Sequence, residues 1–440
     1  MKKEKIGNIL QMQRGYDLPV SQMRNGQIPV VGSNGVVGYH DTAKCFTPTI
    51  TIGRSGSAGK IHMYDTPTWV HNTALYLTDF KGNNPKYLYY LLRLLHLETL
   101  CGSSVIPSLN RNVVYPMVVN FHENREDQDA ISSILSKIDE KIAVNHEINR
   151  NLEAMSRQLY DYWFVQFDFP DENGKPYKSS GGKMVWNERL KREIPDNWVV
   201  ENLSDAAEIY NGATPSTAVE SNYGGDIVWI TPKDLSEQQC KFVYHGARNI
   251  SQQGYDSCST HMLPTHSLLM SSRAPIGLLS ISEVPLCTNQ GFKSFVPKDG
   301  YDVFYIFYYI RQQLPKIEQL GTGTTFKEVS REDLMRFPIL KIPQGLQREW
   351  LSRVESMAER QFKSVLETDK LKKQRDELLP LLMNGQVSVM PTEVNCDLMI
   401  SNCFSHYLRM LLLQYLIISL ISSREKPIKS SIQQTNSFLS

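Results

Sequence analysis

"TITIGRSGSAGKIHM" (residues 49–63) reads as an alternating strand, a glycine-rich turn and a second strand. Its Gly59-Lys60 ending raises the question of a phosphate-binding loop. Such a loop needs Gly, four residues, then Gly-Lys-Ser/Thr. Here five residues separate Gly53 from Gly59, and Ile61 stands where a hydroxyl should follow the lysine. The pattern fails twice. An echo, "LLMSSRAPIGLLSIS" (268–282), keeps one Arg and one Gly but drops the Lys. A phosphate loop would not lose its lysine in one copy, whereas a hairpin tip carrying an Arg tolerates the change.

The echo extends in both directions, which marks an internal repeat. "IGNILQMQRG" (6–15) aligns with "LSDAAEIYNG" (203–212), and "GQIPVVG" (26–32) with "GDIVWIT" (225–231). "HNTALYL" (71–77) aligns with "TNQGFKSF" (288–295), and "LCGSSVIPSLNRNVV" (100–114) with "LGTGTTFKEVSREDL" (320–334). The offset grows from 197 to about 219, so one loop region is about 20 residues longer in the second copy. A persistent scaffold with one divergent loop is the pattern of a recognition module.

Each copy is followed by a long helical segment. In the first (124–165), apolar residues at 131, 135, 138, 142, 152, 155 and 159 fall at heptad spacing, with Asn145 and Asn149 inside the stripe. In the second (346–386) the stripe is Trp350, Val354, Met357, Gln361, Ser364, Thr368, Leu371, Arg375, Leu378 and Leu382. Polar groups in the middle of each stripe cost stability but fix register and partner. The simplest partner for each helix is the other. Antiparallel pairing of two helices of roughly 50 Å holds the two modules apart; the alternative is two helices packed separately on their own domains. The expected class is therefore α+β: globular domains at 1–123 and 195–345, each followed by a long helix, the two helices forming an antiparallel coiled coil. Between the copies, 166–194 is rich in Gly, Pro, Ser and charge and reads as a linker with little regular structure. Residues 387–440 form an atypical tail. Its apolar run "YLRMLLLQYLIISLI" (407–421) is too short to span a bilayer comfortably.

Composition supports a soluble multi-domain protein, with 440 residues, 41% hydrophobic and 21% charged. The start "MKKEKIGNILQMQ" has no secretory pattern. The seven Cys are scattered with no CxxC pair, which fits a reducing, cytoplasmic setting. Net charge is +1, but residues 1–125 carry 13 basic and 7 acidic side chains, while 195–345 carry 12 and 16. The first module suits a polyanion; the second does so only through a local basic face.

Catalytic patterns are missing. "NNPKY" (83–87) lacks the second Pro of an adenine-methylating Asn-Pro-Pro-Tyr loop and reads as a helix cap. "PDENGK" in the linker has the wrong spacing for a nuclease cluster and reads as a turn. No Walker pair, HExxH or Cys/His cluster occurs, and His40, His62 and His71 lack spaced carboxylate or thiolate partners for a metal. The expectation is a chain that binds and positions, with no catalytic residues and no metal.

At this point a resemblance is specific. "IPVVGSNGVVGYHD", "TIGRSGSAGKIHMYDTPTWVHNTALYL", "IPSLNR" and "ISSILSKIDEKIAVNHEINRNLEAMSRQLYDYWFVQFDFP" resemble the first half of a type I restriction–modification specificity subunit. "IPDNWVVENLSD", "GDIVWITPKDL", "SSRAPIGLLSI", "CTNQGFKSF" and "GTGTTFKEV" resemble its second half, and "ELLPLLMNGQVSV" its usual ending. The likeness covers about residues 1–389. It implies two target recognition domains reading the two halves of a split site on double-stranded DNA. The helix pair would act as a ruler and dock two methyltransferase subunits, with translocase/nuclease subunits joining them and no membrane involved. S-adenosylmethionine, ATP and Mg would belong to those partners, with no cofactor on this chain. Two departures stand out. The first copy lacks the Pro-x-x-Trp lead-in of Pro195–Trp198, and the tail from Met390 has no family likeness. A frame change or recombination at the end of the gene is one origin for that tail; an assembly-defective subunit is then a further reading. The alternative outside the family is a free-standing two-domain DNA-binding or scaffold protein.

The candidate DNA contacts are the cations Arg54, Lys60, Arg111, Arg273, Lys293 and Lys327. Arg54 and Arg273 sit at matched hairpins, where the alternative is a turn cap or an ion pair. Asn72 and Asn289 sit at matched strand starts; an amide there reads adenine bidentately or bonds its own turn. Ser108 and Asn110 share the "PSLNR" loop with Arg111, and "FKEVSR" is its counterpart. On the helices, Ile138, Ile142, Leu152, Val354, Met357 and Leu371 are the candidate partner-docking positions.

Overall fold

The computed structural model describes residues 1–100, 108–236, 238, 240–273, 275–322 and 327–387. The expected tail from Met390, with its apolar run, lies outside them. In the first domain, β1 (Lys2–Lys5) leads through one helical turn, α1 (Ile6–Ile9), into β2 (Gln11–Arg14). Then come β3 (Ile28–Gly32), β4 (Gly35–His40), β5 (Thr49–Gly53), β6 (Ile61–Tyr64), β7 (Trp69–Val70) and β8 (Ala74–Asp79). Helix α2 (Pro85–Leu94), the short α3 (Arg111–Val114) and β9 (Val118–Phe121) complete it. The main sheet has the order β2-β8-β5-β6; β4-β3-β7 forms a second sheet, and β1 pairs with β9. "NNPKY" is a helix cap: the Asn84 side chain accepts from Tyr87 N at 3.0 Å, with Pro85 opening α2.

Helix α4 spans Arg125–Tyr160 and continues through one π-turn, Asp161–Val165. The next segment corrects the linker expectation. It folds into a hairpin of β10 (Met184–Asn187) and β11 (Arg192–Pro195). Phe167 and Phe169 are buried, Phe169 stacks on Tyr177 (4.8 Å) and Trp198 (5.1 Å), and Arg192 sits 4.4 Å over the Phe167 ring. Three aromatics are enough to anchor a segment whose other residues are polar.

The second domain repeats the first. After β12 (Val199–Asn202) and α5 (Leu203–Ala206) come β13 (Ala207–Asn211), β14 (Tyr223–Ile227), β15 (Trp229–Ile230), α6 (Pro232–Ser236), β16 (Phe242–Val243) and α7 (Gln252–Asp256). Then follow β17 (Leu268–Ser272), β18 (Ile276–Ser282), β19 (Cys287–Thr288), β20 (Phe292–Pro297), α8 (Val303–Leu320), α9 (Arg331–Arg336) and β21 (Pro338–Lys341). Its main sheet, β13-β20-β17-β18-β16, matches β2-β8-β5-β6 with one strand added from the longer loop region. The small parallel pairs β3–β7 and β15–β19 also correspond. Gly15 and Gly212 hold equivalent places. A Cβ at Gly15 would collide with the carbonyls of Val70 and His71, and one at Gly212 with those of Thr288 and Asn289.

Helix α10 (Gln344–Met383) packs along α4. Arg375 meets Asp139 (2.7 Å), Thr368 meets Asn145 (3.3 Å), Gln361 Nε2 donates to the Asn149 carbonyl (3.1 Å), and Ser156 faces Met357 (3.7 Å). One number rises as the other falls, so the pair is antiparallel. The polar middle of the seam is occupied by Asn145, Asn149, Gln361, Ser364 and Thr368, all buried. Among the described residues, no helix is long and apolar enough to cross a membrane.

Candidate nucleic-acid interface

In the first domain a cleft of about 830 Å³ runs between β2, the tip of the β5–β6 hairpin and the loop entering α3. Its walls include Gln11, Gln13 and Arg14 from β2, Arg54 from the tip, and Ser108, Asn110 and Arg111 from the loop. Backbone bonds assemble it. Arg54 N donates to the Thr73 carbonyl (2.8 Å), and Leu109 N donates to the Arg54 carbonyl (2.8 Å). Among the described residues no hydrogen bond or ion pair engages the Arg54 guanidinium, and Arg54 is half-buried on the cleft wall. Gln11 and Gln13 are exposed beside it. Arg14 lies 3.7 Å from Asp17, an exposed and weak pairing. Guanidinium and carboxamide groups facing one polar cleft suit phosphate oxygens and base edges.

The nominated residues separate into distinct roles. Arg111 belongs to the scaffold: its Nη1 donates to the Met12 carbonyl at 3.2 Å, and Arg331 Nε donates to the Ile209 carbonyl at 2.6 Å in the second domain. Asn110 accepts from Asn112 N and caps α3, as Ser330 accepts from Asp333 N and caps α9. Ser108 is exposed and bridges Ser55. Lys60 is exposed, with Nζ 2.8 Å from Asn34 Oδ1; burial and this neighbouring charge pull the His62 imidazole below its usual range. Asn72 donates to Asp17. Asn289 is held by its own turn, accepting from Gly291 N at 2.9 Å.

Two matched pairs are corrected by the backbone. His71 N donates to Val31 O, and Asn289 N to Ile230 O, so Asn289 corresponds to His71 and Asn72 to Gln290. Arg54 N donates to Thr73 O and Ser272 N to Gly291 O; Ser55 bridges Ser108 and Arg273 bridges Glu328. Arg54 therefore corresponds to Ser272, and Arg273 to Ser55: the two arginines are one step out of register. Among the described residues the Arg273 side chain also has no hydrogen-bond or ion-pair partner, and Lys327 is exposed near the same tip.

Lys293 is corrected as a surface cation. It is buried in β20, and its Nζ lies 3.1 Å from Glu328 Oε1. On the opposite face of this sheet Tyr210 bonds Glu208, which pushes the Tyr210 phenol above its usual range. The nominated helix positions divide by burial. Ile142, Leu152 and Val354 are buried, with Ile138, Met357 and Leu371 half-buried. The buried members face the opposite helix or the domain core, leaving the outer surfaces of the pair for any partner.

Sequence reasoning missed Gln11, Gln13 and Arg14 as cleft residues. The signal was present, because "LQMQRG" opens the repeat and alternates Met12 inward with the glutamines outward.

Comparison with known proteins agrees with this architecture. A family profile described as the type I restriction modification DNA specificity domain matches residues 1–154 and again 195–359. The type I restriction enzyme MjaIX specificity subunit of Methanocaldococcus jannaschii is 36% identical over 163 residues, 36% of this chain and 38% of that protein. The chain thus spans well under half of that relative. The type I restriction enzyme HindI specificity subunit of Haemophilus influenzae is 25% identical over 334 residues, 65% of this chain and 72% of that protein. A crystal structure of the type I restriction-modification system S subunit from M. genitalium superposes with a TM-score of 0.56 at 16% identity, over 87% of this chain and 96% of that one, which is a likeness of fold. With two matched domains and a repeated scaffold on one helix pair, the chain belongs to the family of type I restriction modification DNA specificity domains.

Proposed function

We propose that this chain is the DNA-recognition subunit of a type I restriction–modification complex, a specificity subunit rather than an enzyme. Each domain reads one half of a split duplex target, and the helix pair holds the halves at a fixed separation. Two methyltransferase subunits dock on the outer surfaces of the helix pair, and translocase/nuclease subunits join them. S-adenosylmethionine, ATP and Mg act on those partners. The observation that carries the reading is the first-domain cleft, with Arg54, which has no side-chain partner among the described residues, beside exposed glutamines. Opposite it in function, the second domain offers Arg273 and Lys327 at the equivalent hairpin.

The direct test is methylome sequencing of a host expressing this chain with its neighbouring methyltransferase subunit. A split adenine-methylated motif that disappears without this chain is the expected result; its absence sinks the reading. Within the motif, Arg54→Ala should weaken binding by roughly 1–3 kcal/mol and relax preference in one half only, as loss of a bidentate guanine contact does. Equal weakening on all sequences would assign Arg54 to phosphate.

A further inference from the structure

The two domains grip the helix pair through matched residues. Tyr90 and Arg93 lie on α2, and Tyr308 and Arg311 lie on α8, both pairs at the sequence offset of 218 that relates β8 to β20. The Tyr90 hydroxyl donates to Asp139 Oδ2 at 2.7 Å, with Arg93 3.8 Å from the same oxygen. Arg375 of α10 closes the other side, donating to Asp139 Oδ1 at 2.7 Å. In the second domain, Tyr308 donates to Glu153 Oε2 at 3.0 Å, Lys241 Nζ reaches the same oxygen at 2.8 Å, and Arg311 reaches Oε1 at 2.5 Å. Tyr90, Tyr308 and Lys241 are buried.

Both carboxylates belong to α4. They are 14 residues apart (153 − 139), about 21 Å along a helix at ~1.5 Å per residue. Fourteen residues is two heptads, so they occupy the same position relative to the seam. An apolar contact permits sliding; a carboxylate held by directed donors, two at Asp139 with Arg93 as an ion pair beside them and three at Glu153, does not. Leaving the buried Lys241 ammonium without Glu153 is costly, so displaced arrangements of the second domain are disfavoured.

We infer that Asp139 and Glu153 are positioning residues that fix the separation and phase of the two recognition domains, and hence the spacer length accepted between the two half-sites. This rests on the two-part DNA reading above. The residues touch no DNA in this account; they act through Tyr90–Arg93 and Tyr308–Arg311.

The test uses the full chain with its methyltransferase subunit. Selection from random duplexes by the wild-type complex defines the two half-sites. A second library then keeps both half-sites and varies the spacer. Asp139→Asn, Glu153→Gln and the milder Tyr90→Phe and Tyr308→Phe are compared with wild type. The expected result is unchanged half-site sequences, with adjacent spacer lengths rising about tenfold relative to the preferred one, the ratio that losing one charge-assisted bond produces. The two Tyr→Phe variants keep the ring packing and decide the matter if a carboxylate variant unfolds. Folded variants that retain the wild-type spacer distribution overturn the inference while leaving the two-part reading intact. Failure of the wild-type complex to select any two-part motif overturns that reading, and the inference with it.

Discussion

The two recognition domains share a scaffold down to individual bonds, yet differ on the surface it presents. Arg111 and Arg331 make the same tie to the strand after the first helical turn, and Gly15 and Gly212 make the same close approach. Beside these constants, Arg54 of the first domain has no side-chain partner among the described residues, whereas the second domain inserts Lys293 and Glu328 as a pair where the first has Leu75 and Ser108. The docking of each domain differs as well. Position 131 of α4 and position 350 of α10 are equivalent in the repeat; the first holds Ile131 and the second Trp350. Trp350 packs among Tyr160, Phe164, Tyr305 and Tyr308, while the first junction is dominated by Gln128 bonding Asn83, Asn84 and the His122 carbonyl. A repeated fold thus keeps the bonds that shape the backbone and varies charge pairing and apolar packing around them.

The largest expected effect is at the second junction. Trp350→Ala should destabilise the chain by about 3–5 kcal/mol, against about 1–3 for Gln128→Ala, which strands buried amide partners. Equal losses in urea unfolding would erase the contrast between an aromatic and a hydrogen-bonded junction. Next, Arg111→Ala and Arg331→Ala should each cost about 1.5–3 kcal/mol through loss of a charge-assisted bond. A melting temperature unchanged by Arg111→Ala, with weaker DNA binding, would return Arg111 to the interface and break the equivalence.

The second domain carries a pH effect of its own. Burial pushes the Glu283 carboxyl up to about 7. Its proton is held more tightly in the folded chain than in the unfolded one. Stability from this group is therefore full in acid and declines as pH rises from the ordinary carboxylate range through about 7. Glu283→Gln should flatten that decline and raise the melting temperature at pH 8 relative to wild type; parallel pH profiles would refute it. The smallest effect concerns exposed charge. Lys60→Ala should reduce the slope of log affinity against log salt by roughly 0.9, one phosphate's share, while Lys293→Met leaves the slope unchanged. A change with Lys293→Met would mean that its pair with Glu328 opens on DNA.

Much of this architecture was legible in the residues. The repeat followed from aligned motifs and the two long helices from their heptad stripes, while the antiparallel pairing was expected as the simplest arrangement that holds the two modules apart. The linker was misjudged because Phe167, Phe169 and Trp198 are sparse among Gly, Pro, Ser and charged residues, and composition averages them away. Lys293 looked free because its partner Glu328 lies 35 positions on, a distance sequence pattern does not reach. The pairing of Asn72 with Asn289 failed by one residue, since a change in offset of about 20 residues leaves local register to the hydrogen bonds.

The pairing of β1 with β9, and of β12 with β21, has a consequence for inheritance. Each domain's opening strand lies against its closing strand, and each closing strand passes directly into a long helix. Entry and exit therefore sit side by side, so the backbone of each domain joins the rod like a bead at one clasp, beside the side-chain grip of α2 or α8. Length added inside the bead can still reach the rod, as in the longer loop region of the second copy, where Lys241 meets Glu153 of α4 and the Tyr244 hydroxyl donates to Asp369 of α10. Such a chain can exchange one bead for a foreign one by two crossovers near the clasp. A lineage can then replace a whole domain in one event, with the backbone joint to α4 or α10 left as it was.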